Sequence, residues 1–171
     1  MNWHEIAKYN PSNYADGIYT VDEWTSMSDV GKCYHGIMFA LEDYLKVEQQ
    51  YLDAVLSILC ATGCKYMSIQ YLEADRNLVE EQIKSSKNYN SDAPLLKSLP
   101  KLQVNKRIGL QEIDQIIRLN LREYIYAVLV NKKHQLKIEF GYDYYLRVCT
   151  ALDDATLRSI VGGAGLFLDP R

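Results

Sequence analysis

Histidine is scarce in this chain. Only His4, His35 and His134 occur, and no two stand at the i, i+4 spacing that lets one helix face present a pair of metal ligands. Cysteine is nearly as thin, with Cys33, Cys60, Cys64 and Cys149. Cys60 and Cys64 are four apart, which is not the redox C-x-x-C spacing, and no second pair follows to complete a zinc site. Cys33 and His35 are two apart, which on a helix points them away from each other. There is no Gly-x-Ser-x-Gly elbow. Gly162-Gly163-Ala164-Gly165 lacks the Gly-Lys-Ser/Thr ending of a phosphate cradle and reads as a helix stop before a tail. These absences leave no metal, no cofactor and no catalytic residue assigned, and the expectation is a protein that is not an enzyme.

Long apolar runs are also missing. No stretch reaches the ~18 residues a membrane-crossing helix needs. The opening Met1-Asn2-Trp3-His4 carries neither a basic nor an apolar signal region, so a cytoplasmic protein with free thiols is expected. The net charge is −3, which disfavours a nucleic-acid partner. The charge is uneven along the chain. Residues 1–80 hold 12 acids and 5 bases, a balance of −7, and residues 81–171 hold 10 acids and 14 bases, a balance of +4. Such asymmetry can mark an acidic face for a basic partner or can cancel inside the fold.

Tyrosine is the component present in excess, 14 against 3 Phe and 2 Trp. Its ring offers broad contact area with few rotatable bonds and a polar tip, which suits interfaces and core edges alike. At 171 residues and 48% hydrophobic, the chain can bury one substantial core, and a single domain over 1–171 is expected.

Periodicity gives the elements. Residues 1–17 read as irregular around Asn10-Pro11 and Asp16-Gly17. Residues 18–24 read as a strand. A helical stripe of Leu41, Tyr44, Leu45, Tyr51, Leu52, Val55, Leu56 and Leu59 predicts a helix over about 40–62, stopped by Gly63. A strand follows at 65–71 and a weak helix at 75–86. Ser85 to Pro100 reads as a long, mobile loop. A second long helix is predicted over about 109–130, with Asn131 after it. A strand pair spans 135–149 with its turn near Gly141. Asp153 caps a short helix through Ile160, and Leu166-Phe167-Leu168 pins the tail back. The fold class is α+β, helix-rich, with two long amphipathic helices on a small, mainly antiparallel sheet.

Two runs mix rings with carboxylates: Ile18 to Gly31, and Ile138-Glu139-Phe140-Gly141-Tyr142-Asp143-Tyr144-Tyr145. In the first, Trp24, Thr25, Ser26 and Gly31 suit a structural turn, and the acids are left for a partner. Glu139 and Asp143 flank Gly141 and can approach across a turn. Arg118 and Arg122 share a helix face and need acidic neighbours; the loop at Asp22–Asp29 or Asp143 is the expected source.

Val21 to Gly31, then Leu121-Arg122-Glu123, then Glu139 to Tyr145 together resemble small bacterial immunity proteins of polymorphic toxin systems, in particular those of contact-dependent growth inhibition. The resemblance spans about residues 18 to 150. It implies a cytoplasmic, non-catalytic protein, a monomer or weak dimer, that binds and neutralises the C-terminal toxin domain of a delivered effector, with neither nucleic acid nor membrane as its partner. In such systems the toxin is often a nuclease, whose basic cleft would complement an acidic, tyrosine-rich partner. Contact residues are chosen by type alone: Asp22, Glu23, Asp29, Glu139, Tyr142, Asp143 and Tyr144. Two other classes remain open, a small enzyme using convergent carboxylates and a homodimeric structural protein.

Overall fold

The computed structural model describes residues 2–169. Its strands are β1 (Asn2–Ala7), β2 (Tyr14–Ala15), β3 (Ile18–Tyr19), β4 (Cys33–Tyr34), β5 (Ile37–Met38), β6 (Tyr66–Glu73), β7 (Arg107–Gly109), β8 (Tyr126–Asn131), β9 (Leu136–Phe140), β10 (Leu146–Thr150) and β11 (Phe167–Leu168). Its helices are α1 (Leu41–Ala61), α2 (Arg76–Ser85), α3 (Tyr89–Asp92), α4 (Leu110–Leu121) and α5 (Asp154–Gly163).

The expected stripe buries α1. Tyr44, Tyr51, Leu52, Val55, Ile58 and Leu59 are all inside, and Gly63 follows at φ +67. Seven strands form one antiparallel sheet in the order β11-β1-β10-β9-β8-β6-β7. The chain is thus a single-domain α+β fold, but its sheet is larger than the small one expected and only part of the helix-rich reading holds. Met1, Pro170 and Arg171 of the expected 1–171 domain lie outside the described residues.

One face of the sheet carries the core. Ile6, Leu146, Ile138, Leu129 and Met67 point to it and join the α1 stripe, α4 and α5 in one cluster. Alternate positions point the other way. There Trp3 lies near Arg147 and Lys137, and Arg147 ion-pairs with Glu5 and Glu139. Val128 and Cys149 are buried on this side but stand outside the main cluster.

Four expectations change. Residues 2–7 are not irregular: β1 is an inner strand, paired with β10 from Asn2↔Thr150 to Ile6↔Leu146 and with β11 at Ile6↔Leu168. Asn10-Pro11 and Asp16-Gly17 do make turns, but they follow the strand. Residues 18–24 do not form one strand. Only Ile18 and Tyr19 pair, with Ala15 and Tyr14, across the Asp16-Gly17 turn, where both residues have positive φ.

The stretch 85–100 is not a bare loop. It holds α3 and a 3-10 run from Ala93 to Lys101, anchored by buried Asp92, Leu95, Ser98 and Leu99. The helix predicted over 109–130 ends at Leu121. Glu123 takes φ +61, its N–H and that of Tyr124 close back onto Asn120 and Leu119, and the β-branched and aromatic run beyond becomes β8. The turn at Glu123 reverses the chain without a glycine. Asn131 ends the strand instead of following a helix, donating to the Tyr66 carbonyl at 2.8 Å. The β9–β10 hairpin, the Asp153 cap on Thr156 N–H and the return of Phe167–Leu168 to the sheet are as expected.

Candidate functional site

The two acid- and ring-bearing runs meet in space. Trp24 stacks on Phe39 with centroids 4.5 Å apart, and Tyr144 stands edge-on to Trp24 at 5.1 Å, to Tyr44 at 5.6 Å and to Tyr51 at 5.4 Å. Tyr9 Oη donates to the Asp143 carbonyl at 2.7 Å, and Tyr51 Oη donates to that of Tyr144. Buried rings therefore hold the 141–145 turn from behind. Asp143 and Tyr144 take φ of +53 and +64, a strained pair for non-glycine residues. The chain closes tightly: Gly141 N–H reaches Tyr145 O at 2.7 Å, and a Cβ on Gly141 would meet Tyr145 Cβ at 3.2 Å. Tyr142, at the tip, is 92% exposed and Asp143 is exposed beside it.

The seven residues chosen by type divide into three groups. Asp22, Tyr142 and Asp143 present their side chains to solvent. Glu23, Asp29 and Tyr144 serve the fold. Glu23 holds the Lys8 ammonium at 2.6 Å, and that ammonium lies 4.3 Å from the ring centroids of both Tyr9 and Trp24. Burial pulls Lys8 below its ordinary range, and Glu23 opposes this. Asp29 is buried and accepts from Thr25 N–H at 2.8 Å, Ser26 N–H at 3.3 Å and Lys32 at 2.6 Å. Burial raises its carboxyl, but these partners outweigh burial and hold it below the ordinary range. Gly31, at φ +95, bonds to Phe39 O, so the structural roles expected for Trp24 to Gly31 are as built. Tyr144 is core.

Glu139 stands apart from both groups. It lies on the open sheet face with Lys137 at 2.6 Å and Arg147 at 3.5 Å, so it does not pair with Asp143 across the turn.

The arginines correct a further expectation. Arg118 and Arg122 do not bind the Asp22–Asp29 loop or Asp143. Both converge on Glu48 of α1, which is fully buried, at 2.6 and 2.7 Å. Arg122 also takes Asp92 at 2.6 Å, and Arg118 takes Asp114 at 3.1 Å. Part of the charge asymmetry between the chain halves is thus neutralised internally.

An open groove of about 900 Å³ lies beside Tyr142, between the start of α2, the α4–β8 connection and the β9–β10 turn. Leu78, Val79, Ile125 and Phe140 line it with Tyr124 and Tyr126. Glu73, Asp75 and Glu123 supply carboxylates, and no Lys or Arg stands among the described residues that line it. Glu123 is pushed above its ordinary value by partial burial first, then by repulsion from Asp143 and Asp29. Asp75 is the α2 cap, accepting from the N–H of Asn77 and Leu78.

Sequence reasoning missed Glu73, Leu78, Glu123 and Tyr126. Glu123 was in view as a helix residue and within Leu121-Arg122-Glu123, not as a site residue, and no periodicity marks the fold-back that carries it to the groove. A second open recess of about 840 Å³, lined by Leu56, Cys60, Lys65 and Leu110, carries mainly apolar surface. Among the described residues no group of three His, Cys, Asp or Glu is placed to hold a metal ion, and no helix is long and apolar enough to cross a membrane. No protein-family model, curated protein or solved structure matches this chain.

Proposed function

We propose that the protein is a cytoplasmic immunity protein. In this reading it binds, as a monomer or weak dimer, the basic nuclease toxin domain of a contact-dependent growth inhibition effector and neutralises it without catalysis. The observation that carries the reading is the turn at Tyr142–Asp143. A nearly fully exposed ring and an exposed carboxylate stand on a backbone clamped by Tyr9, Tyr51 and the Gly141–Tyr145 bonds. An aromatic anchor carried on a backbone already ordered before binding loses less entropy on docking, which is how a small interface gains affinity. The carboxylates of Asp143 and Glu123 beside it, and that of the exposed Asp22, are complementary to a cleft built to attract phosphate.

The matching experiment is co-expression with the toxin domain encoded beside it, read by cell survival and co-purification. Asp22→Lys with Asp143→Lys is expected to weaken binding and to steepen its salt dependence. Affinity unchanged by this double reversal would remove the acidic-face mechanism. Failure of the wild type to bind or rescue would remove the function itself.

A second reading rests on one specific observation: Glu123, its carboxyl raised, in a groove with Asp143 nearby. A carboxyl of that kind suits general acid chemistry in a small hydrolase. Glu123→Gln separates the two: it abolishes acid catalysis outright, whereas in the binding reading it removes one of several carboxylates and only weakens neutralisation.

A further inference from the structure

We infer that the groove beside Tyr142 seats a basic, amphipathic segment of the protein partner, with a cationic side chain between Glu123 and Glu73 and apolar side chains against Ile125, Phe140 and Leu78. This deepens the binding reading above and rests on it for the identity of the partner.

Shape comes first. The recess is open and about 900 Å³, so it admits several side chains of a passing segment. Its floor is already apolar, with Val79, Ile125 and Phe140 buried. Its rim leaves apolar surface in water: Leu78 is 51% exposed, and Tyr126 and Tyr142 are exposed beside it. Covering that surface is favourable because it removes apolar area from water.

Charge then selects the occupant. Glu73, Asp75 and Glu123 face the recess, Asp143 stands next to it, and none has an ion-pair partner among the described residues. The two cations adjacent in sequence are engaged elsewhere, Arg76 with the Leu102 carbonyl and Arg122 with Glu48 and Asp92. The repulsion that Asp143 and Asp29 exert on Glu123 is relieved by a guanidinium or ammonium arriving from outside. An acidic segment would add to it. The rings of Tyr126 and Tyr142 offer further faces on which a guanidinium can stack.

Two soluble peptides of equal length serve as probes, one alternating Leu and Arg at helical spacing and one with Glu in place of Arg. Their binding is followed on the ¹⁵N-labelled protein by amide shifts. The Leu/Arg peptide is expected to move amides at Glu73–Leu78, Glu123–Tyr126 and Gly141–Asp143, and the Leu/Glu peptide to move none. Glu73→Gln with Glu123→Gln should weaken the Leu/Arg peptide roughly tenfold and flatten its salt dependence. Leu78→Asp, at an exposed position that leaves folding intact, should weaken it as well.

Equal binding of both peptides, shifts confined to another face, or affinity unchanged in the double variant overturns the proposal. So does a self-associated protein in sedimentation whose groove amides move on dilution, since that assigns the groove to a second copy. A protein that neutralises its toxin normally with all three groove substitutions loses this inference and keeps the immunity function. One that binds the Leu/Arg peptide in the groove but no neighbouring toxin keeps the groove assignment and loses the function.

Discussion

Arg122 grips Glu48 with two prongs, Nε to Oε1 at 2.7 Å and Nη2 to Oε2 at 2.8 Å, and its remaining nitrogen reaches Asp92 Oδ1 at 2.6 Å. The carboxylate and the guanidinium are both buried, and the pair ties the end of α4 to the middle of α1. Arg118 adds its own bond to Glu48 at 2.6 Å, which is why two arginines at i, i+4 tolerate each other. Removing one partner strands a buried charge. Arg122→Ala is therefore expected to destabilise by about 3–5 kcal/mol in chemical denaturation. Arg122→Met combined with Glu48→Leu and Asp92→Asn, which leaves neither buried carboxylate without its cation, should recover much of that loss. An Arg122→Ala protein as stable as the wild type would show that the cluster does not hold the helices together.

Glu123 supplies a prediction with the opposite sign. Its carboxyl titrates above its ordinary value of 4.5 in the folded protein, because burial and then Asp143 and Asp29 disfavour the charge. The folded state thus holds the proton more tightly than the unfolded state, and stability falls as pH rises from about 4.5 through the folded value. Glu123→Gln removes this penalty. At pH 7 it should raise Tm on the order of 1 °C, since solvent screens most of the effect. The gain should vanish near pH 4. A Tm difference that is flat across this range would refute the assignment.

Asp29 behaves in reverse. Burial is the largest influence on it, yet Lys32 and the amides of Thr25 and Ser26 prevail and hold its carboxyl below the ordinary 3.8. Its contribution is present above that value and is lost as pH falls through the lower folded one. Asp29→Asn should lower Tm by roughly 2–4 °C at neutral pH, with the gap to the wild type closing in strong acid.

The 141–145 turn allows stability and binding to be separated. Asn tolerates the left-handed backbone of Asp143 as well as Asp does, so Asp143→Asn should fold with unchanged Tm while losing one charge. Tyr142→Ala, at a fully solvated tip, should change stability by no more than about 0.5 kcal/mol. In the immunity reading it weakens toxin binding by at least ~1 kcal/mol, measured by calorimetric titration. A binding loss matched by an equal loss of Tm would instead mark the turn as structural.

The parts of the fold that sequence revealed are those where local pattern and tertiary role agree. The α1 stripe, the Gly63 stop, the Asp153 cap and the β9–β10 turn all declare themselves within a few residues. The parts it concealed depend on distant partners. Nothing in Asn2-Trp3-His4-Glu5-Ile6-Ala7 marks an inner strand, because the pairing comes from residues 146–150 and 167–168. The early end of α4 was hidden because Glu123 turns the chain in a conformation where glycine or asparagine is the usual signal. The runs bearing the candidate site were visible as chemistry. Which of their acids stay free was not, since Lys8 claims Glu23 from another strand's end and Lys137 and Arg147 claim Glu139 across the sheet.

The place of β1 also governs the order in which the protein can assemble. Its neighbours in the sheet are β10 and β11, so β1 waits for partners far along the chain, at residues 146–150 and 167–168. A growing chain on the ribosome carries Trp3 and Ile6 unpaired until residues 146–150 emerge. Sheet closure is then a late, long-range step of the slow kind that high contact order imposes. During that interval the unpaired edges of β1 are open to proteases and chaperones.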